Sequence, residues 1–88
     1  MTVLYFSTEW CGPCKMFWPV VQEVCSANGI SIQRIDAEQN RDLANQYQIT
    51  GVPTIVVLKN DGTGDKPAFR NTGVMTKTKL IDTLQNLS

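Results

Sequence analysis

The chain has 88 residues, 42% of them hydrophobic, enough for one small domain over residues 1–88 and too short for two. Eight basic residues balance eight acidic ones and neither sign forms a run, so a nucleic-acid backbone or an anionic membrane is not the expected partner. No apolar stretch reaches membrane-spanning length, and the opening segment lacks the basic region and long apolar run of a secretory signal. A soluble, cytoplasmic, monomeric chain is therefore expected.

Val3-Leu4-Tyr5-Phe6 is a short run of strand formers that ends at the polar Ser7-Thr8-Glu9. From about Pro13, Phe17, Val20, Val21, Val24 and Asn28 recur at helical spacing, with Cys25 at the edge of the stripe. Lys15, Gln22, Glu23 and Ser26 take the other side. Pro19 lies inside this pattern and predicts a kink, and Asn28-Gly29 predicts the helix end. Ser31 to Asp36, carrying Ile32 and Ile35, reads as a second strand. Leu43, Ala44 and Tyr47 mark a short helix over Arg41–Tyr47, with Asn40 as its N-cap.

Thr50-Gly51-Val52-Pro53 is a break, and Thr54–Leu58 is the most strand-like run in the chain. Turn residues over Asn60–Asp65 predict a hairpin into a fourth strand, Ala68–Thr72. After Gly73, Leu80, Ile81, Leu84 and Leu87 mark a closing helix capped near Thr76. The order is β-α-β-α-β-β-α, an α/β arrangement. A helical crossover makes the first two strands parallel, and a tight turn makes the last two antiparallel. The simplest closure is a mixed four-stranded sheet flanked by helices on both faces, with strand one central.

Three cysteines and no histidine cannot complete a tetrahedral zinc site within one chain; a metal would have to be shared between two chains. The odd count is also unlike a disulfide-stapled scaffold. Cys11 and Cys14 fall instead at a strand-to-helix junction. First-turn amides and the helix dipole favour a thiolate there, and Lys15 adds a nearby positive charge. Cys14 is one turn further on, close enough to close a disulfide. Gly12 lets another chain approach, and Pro13 suits a first helical turn that needs no amide. This arrangement predicts a redox-active dithiol. Cys11 attacks a disulfide of another protein, and Cys14 then displaces that protein from the mixed disulfide.

The run Trp10-Cys11-Gly12-Pro13-Cys14-Lys15, followed by Gly51-Val52-Pro53-Thr54 and then Gly73-Val74, resembles thioredoxin over nearly the whole chain. The resemblance implies a minimal thioredoxin fold in which Pro53 is a cis proline facing the dithiol and Val52 offers backbone hydrogen bonds to a bound peptide. Trp10, Gly12, Pro13, Gly73 and Val74 would complete a shallow, mostly uncharged groove beside Cys11. It further implies no cofactor on the chain itself, disulfide-containing proteins as targets, and an NADPH-linked thioredoxin reductase as reductant. The same fold also serves disulfide oxidases, isomerases and glutaredoxin-like enzymes, and a redox-independent binding subunit is a rival from another class. The Gly12-Pro13 pair resembles the reducing members.

Three departures from the family pattern bear on mechanism. The chain starts directly at the strand leading to the dithiol, without the family's additional N-terminal strand and helix, so an exposed sheet edge is expected. Tyr5 stands where the family usually carries a buried aspartate that helps deprotonate the resolving cysteine, and Ile32 stands where it often carries a lysine. Together these read as an apolar replacement of an ion pair. Water or Glu9 is then left as proton acceptor for Cys14, and exchange near neutral pH is expected to be slower. Cys25 reads as a small buried hydrophobe, with a regulatory thiol as the alternative. Trp18 is expected to be partly exposed. Asp61, Asp65 and Lys66 read as a solvated hairpin tip, and Lys77 and Lys79 carry no functional reading.

Overall fold

The computed structural model describes residues 1–59 and 67–87. Its elements are β1 (Thr2–Ser7), α1 (Gly12–Ala27), β2 (Ser31–Asp36), α2 (Arg41–Gln46), β3 (Thr54–Leu58), β4 (Phe69–Thr72) and α3 (Lys77–Leu87). The turn expected over Asn60–Asp65 and the tip residues Asp61, Asp65 and Lys66 lie outside the described residues.

One sheet runs in the order β2-β1-β3-β4. β1 pairs with β2 in parallel and with β3 in antiparallel fashion, and β3 pairs antiparallel with β4. β1 and β3 therefore occupy the interior, with β2 and β4 as the edges. β2 forms one edge of the sheet among the described residues. Within that strand only Ile35 is buried, whereas β3 is buried throughout.

Alternation along β1 sorts its side chains onto two faces. Val3 and Tyr5 join Ile55 and Val57 under α1 and α3, where Phe17, Val21, Val24, Cys25, Leu80 and Leu84 complete the larger core. Leu4 and Phe6 face the other way, with Val56, Leu58, Ile35 and Ala44 of α2. The continuous apolar character of β1 and β3 follows from this burial on both faces.

Local signals explain the boundaries. Cys11 is the N-cap of α1, with Pro13 in the first turn, and the helix continues without interruption through Pro19. Asn28 does not extend the apolar stripe. It is exposed, caps the helix through its own amide, and donates from Nδ2 to the Val24 carbonyl at 2.7 Å. Gly29 follows with φ of 64°, the left-handed conformation that ends helices. Thr76 caps α3, its Oγ1 accepting from the Lys79 amide at 3.2 Å.

Asn40 precedes α2 but makes no side-chain cap. Its Nδ2 donates to the Asp36 carbonyl at 3.0 Å, so Asn40 fastens the loop after β2. Cys25, expected at the stripe's edge, is fully buried in the core, and Val20 is only half-buried. Lys77 pairs with Glu23 across α1 and α3 at 2.7 Å, an exposed contact worth little.

Candidate active site

The C-terminal end of β1 delivers the chain to α1, and the cysteine pair sits at that junction. Cys11 and Cys14 form a disulfide, with Cα atoms 5.2 Å apart. The Cys11 backbone is extended (φ −86°, ψ 105°), as a cap requires, and its Sγ accepts the Cys14 amide at 3.2 Å. An N-cap sulfur that already receives a first-turn N–H is placed to be stabilised as a thiolate once the disulfide opens. Both cysteines are buried, Cys11 at 4% exposure and Cys14 at 0%, so Cys11 is the residue nearer solvent.

The other predicted site residues converge on the same end of the sheet. Thr54 pairs with Phe6 across the β1–β3 ladder, which carries the preceding Val52-Pro53 to the level of Ser7. The Val52–Pro53 peptide bond is cis, and Pro53 is buried. The Pro53 carbonyl accepts from the Gly73 amide at 2.7 Å, tying the loop before β3 to the loop after β4. Gly73 has φ of 103°, which a side chain would strain. Asn71 adds a bond from its Nδ2 to the Gly73 carbonyl at 3.2 Å.

Trp10 is 70% exposed and Val74 57% exposed, and Gly12 and Pro13 are exposed as well. A Cβ placed on Gly12 would meet nothing within 4 Å, so the surface beside Cys11 is open. Met16, at 79% exposure, extends this apolar surface along α1, and no sequence signal marks it. Trp10 is held by a bond from its indole Nε1 to Glu38 Oε1 at 2.9 Å, a second contact without a sequence signal. A hollow lined by Met1, Ile30 and Leu84 lies at the opposite end of β1 from the dithiol. A depression lined by Ser7, Thr8, Glu9, Arg34 and Asp36 flanks the junction.

Behind Cys14 the structure corrects the expectation of a purely apolar replacement. The Tyr5 ring is fully buried, and its hydroxyl donates to the Cys14 carbonyl at 2.7 Å. Its ring packs against Phe17 and Trp18, with centroids 6.0 and 5.0 Å away. Arg34, not Ile32, lies opposite Tyr5 in the β1–β2 register, and its guanidinium sits over the Trp18 ring at 5.1 Å. Trp18 is half-buried beneath this cation, in keeping with the partial exposure expected of it. Burial pushes the Tyr5 phenol up to about 12, with Arg34 pulling slightly the other way, so it stays protonated across the physiological range. Glu9 is exposed, whereas Cys14 is not. Among the described residues, no group of three or more His, Cys, Asp or Glu side chains is arranged to hold a metal. No described helix is long and apolar enough to cross a membrane.

The chain is similar to known proteins. The chain is 37% identical over 83 residues to a protein of Oryza sativa named chloroplastic thioredoxin Y, covering 92% of this chain and 47% of that one. It is 31% identical over 84 residues to a Mycobacterium leprae protein named bifunctional thioredoxin reductase/thioredoxin, covering 93% and 18%. The chain thus spans about half the length of the rice protein and under a fifth of the mycobacterial one. The structure of a mutant thioredoxin from Halobacterium salinarum superposes with a TM-score of 0.86 at 30% identity, covering 98% of this chain and 73% of that one. The sequence profile of the family described as Thioredoxin matches residues 1–86, and the chain belongs to the thioredoxin family.

Proposed function

We propose that residues 1–88 act as one domain that catalyses thiol–disulfide exchange, working as a protein-disulfide reductase. The observation that carries this reading is the Cys11–Cys14 disulfide at an N-cap, where Cys11 Sγ already accepts a first-turn amide. Cys11 attacks a target disulfide as the thiolate. One target sulfur leaves and takes up a proton, and the other stays bonded to Cys11. Cys14 loses its proton and attacks Cys11 Sγ, and the second target sulfur departs reduced. The product is the oxidised pair present in the structure.

The open, largely uncharged surface of Trp10, Gly12, Pro13 and Val74, bounded by Val52, Pro53 and Gly73, suits an extended peptide better than a small molecule. In this reading Val52 offers its backbone to such a peptide. The reductant is a thioredoxin reductase drawing on NADPH, a pairing that the name of the mycobacterial relative joins in one chain. The protein works as a monomer, without a bound cofactor, in a reducing compartment such as the cytoplasm.

The test is insulin-disulfide reduction, first with dithiothreitol and then with a thioredoxin reductase and NADPH. Turbidity from the released insulin chain is expected in both. Silence in both assays overturns the reading. A Cys11→Ser, Cys14→Ser variant that keeps full biological activity would favour a binding subunit.

A further inference from the structure

We propose that Tyr5 is a positioning residue for the resolving cysteine: its hydroxyl anchors the Cys14 carbonyl and so holds Cys14 for the return attack on Cys11. The proposal rests on the exchange reading above and concerns its second step.

The first turn of α1 needs such an anchor. Its opening residues are Gly12, which constrains the backbone least, and Pro13, which has no amide to donate. The Cys11 carbonyl receives the Lys15 amide at a long 3.3 Å. One turn on, Pro19 offers no amide to the Lys15 carbonyl, so backbone bonding is weakened there as well. Tyr5 reaches this turn from the interior strand β1, and at 2.7 Å its bond to Cys14 is short and buried. The phenol cannot swing away, because Phe17 and Trp18 pack against its ring and Arg34 covers Trp18 from β2.

The bond also reaches Cys11. The Cys14 carbonyl and the Lys15 amide belong to one peptide unit, so a donor on that carbonyl polarises the amide that bonds to Cys11. Tyr5, the Cys14–Lys15 peptide and the Cys11 carbonyl thus form a chain that joins the sheet to both cysteines. No sulfur takes part in it, so the same anchor is available to the oxidised pair, the dithiol and the mixed disulfide.

The step it serves balances without Tyr5 gaining or losing a proton. The Cys14 thiol gives its proton to solvent, its sulfur bonds to Cys11 Sγ, and the Cys11–target bond breaks. The target sulfur leaves with the electron pair and is protonated by solvent. A neutral donor that only fixes geometry changes how often Cys14 is aligned, and leaves the pH dependence of the step unchanged.

The experiment compares the reduced wild-type protein with Tyr5→Phe and Val3→Ala. Each is mixed with a peptide disulfide, quenched in acid at intervals and weighed for the Cys11–peptide adduct. Val3 shares the face and core of Tyr5 but has no bond to α1, so it reports what mere loss of stability does. Tyr5→Phe is expected to consume peptide disulfide within about twofold of wild type, yet to resolve the adduct roughly three- to tenfold more slowly, the loss of one buried hydrogen bond. The deficit should be constant from about pH 6 to 9, and Val3→Ala should resolve like wild type.

Wild-type resolution by Tyr5→Phe overturns the proposal, as does equal adduct build-up in Val3→Ala. A Tyr5→Phe profile of altered shape against pH overturns it too, because Tyr5 would then be moving protons. If the wild type forms no adduct, the exchange reading fails and this proposal fails with it. Turnover by wild type with an indifferent Tyr5→Phe overturns the proposal alone.

Discussion

Tyr5 and Cys25 show how a buried neutral group couples folding to alkaline pH. Burial raises the Cys25 thiol from 9.0 to about 11 and the Tyr5 phenol from 10.0 to about 12. Both are raised, so the folded chain holds protons that the unfolded chain has released. Stability from these groups is fully present below pH 9 and is lost as pH climbs through 11 for Cys25 and 12 for Tyr5. Melting temperature should therefore fall from about pH 9 upward, and Cys25→Ala should remove the earlier part of that fall while leaving the part that begins near pH 10. Thermal melts at closely spaced pH values check this, and an unchanged onset in Cys25→Ala would count against it. The role of Cys25 as an apolar filler is readable from its place beside a helical stripe. The bond from Tyr5 is not, because a strand residue's hydroxyl finds its partner only once the sheet and α1 are packed. Arg34 escapes for a related reason: sequence position points to Ile32, whereas the register sets Ile32 beside Val3 and Arg34 beside Tyr5.

At the scale of elements, strands and helices are legible wherever a single period runs undisturbed. β2 falls on the predicted Ser31–Asp36, and Thr76 does cap α3, because the motif is local and its donor lies three residues on. Asn40 escapes the same logic, since the Asp36 carbonyl competes for its side chain. The connection from α2 to β3 holds a feature with no sequence signature: Gln48 adopts φ of 55°, a conformation that costs most residues about 1–2 kcal/mol. Arg70 of β4 maintains it, donating from Nη1 to the Tyr47 carbonyl at 2.9 Å and from Nη2 to the Gln48 carbonyl at 2.8 Å. Gln48→Gly should thus stabilise the protein by roughly 0.5–1 kcal/mol in urea titration, relief of strain offset in part by backbone entropy. Arg70→Ala should destabilise it by about 1–2 kcal/mol, since two carbonyls lose a charged donor. A neutral Arg70→Ala would show that the clamp carries no stability.

Across the whole molecule, a short chain divided between two small cores leaves little margin. Phe17 lies at the centre of the larger core, 1% exposed and in contact range of the Tyr5 ring. Phe17→Ala should cost about 3–5 kcal/mol, a large part of the roughly 5–15 kcal/mol typical of a domain. Urea titration should then show a clearly lowered midpoint, and a loss below about 1 kcal/mol would mean that the core had closed over the gap. The two tryptophans, one wet at the rim on Glu38 and the other shielded between Tyr5 and Arg34, turn these states into light. Trp10 should emit to the red and respond to a docking peptide, while Trp18 should emit to the blue and shift only when the fold opens. Single Trp10→Phe and Trp18→Phe proteins would separate the two colours. The protein would then report occupancy and integrity on different wavelengths without any added dye.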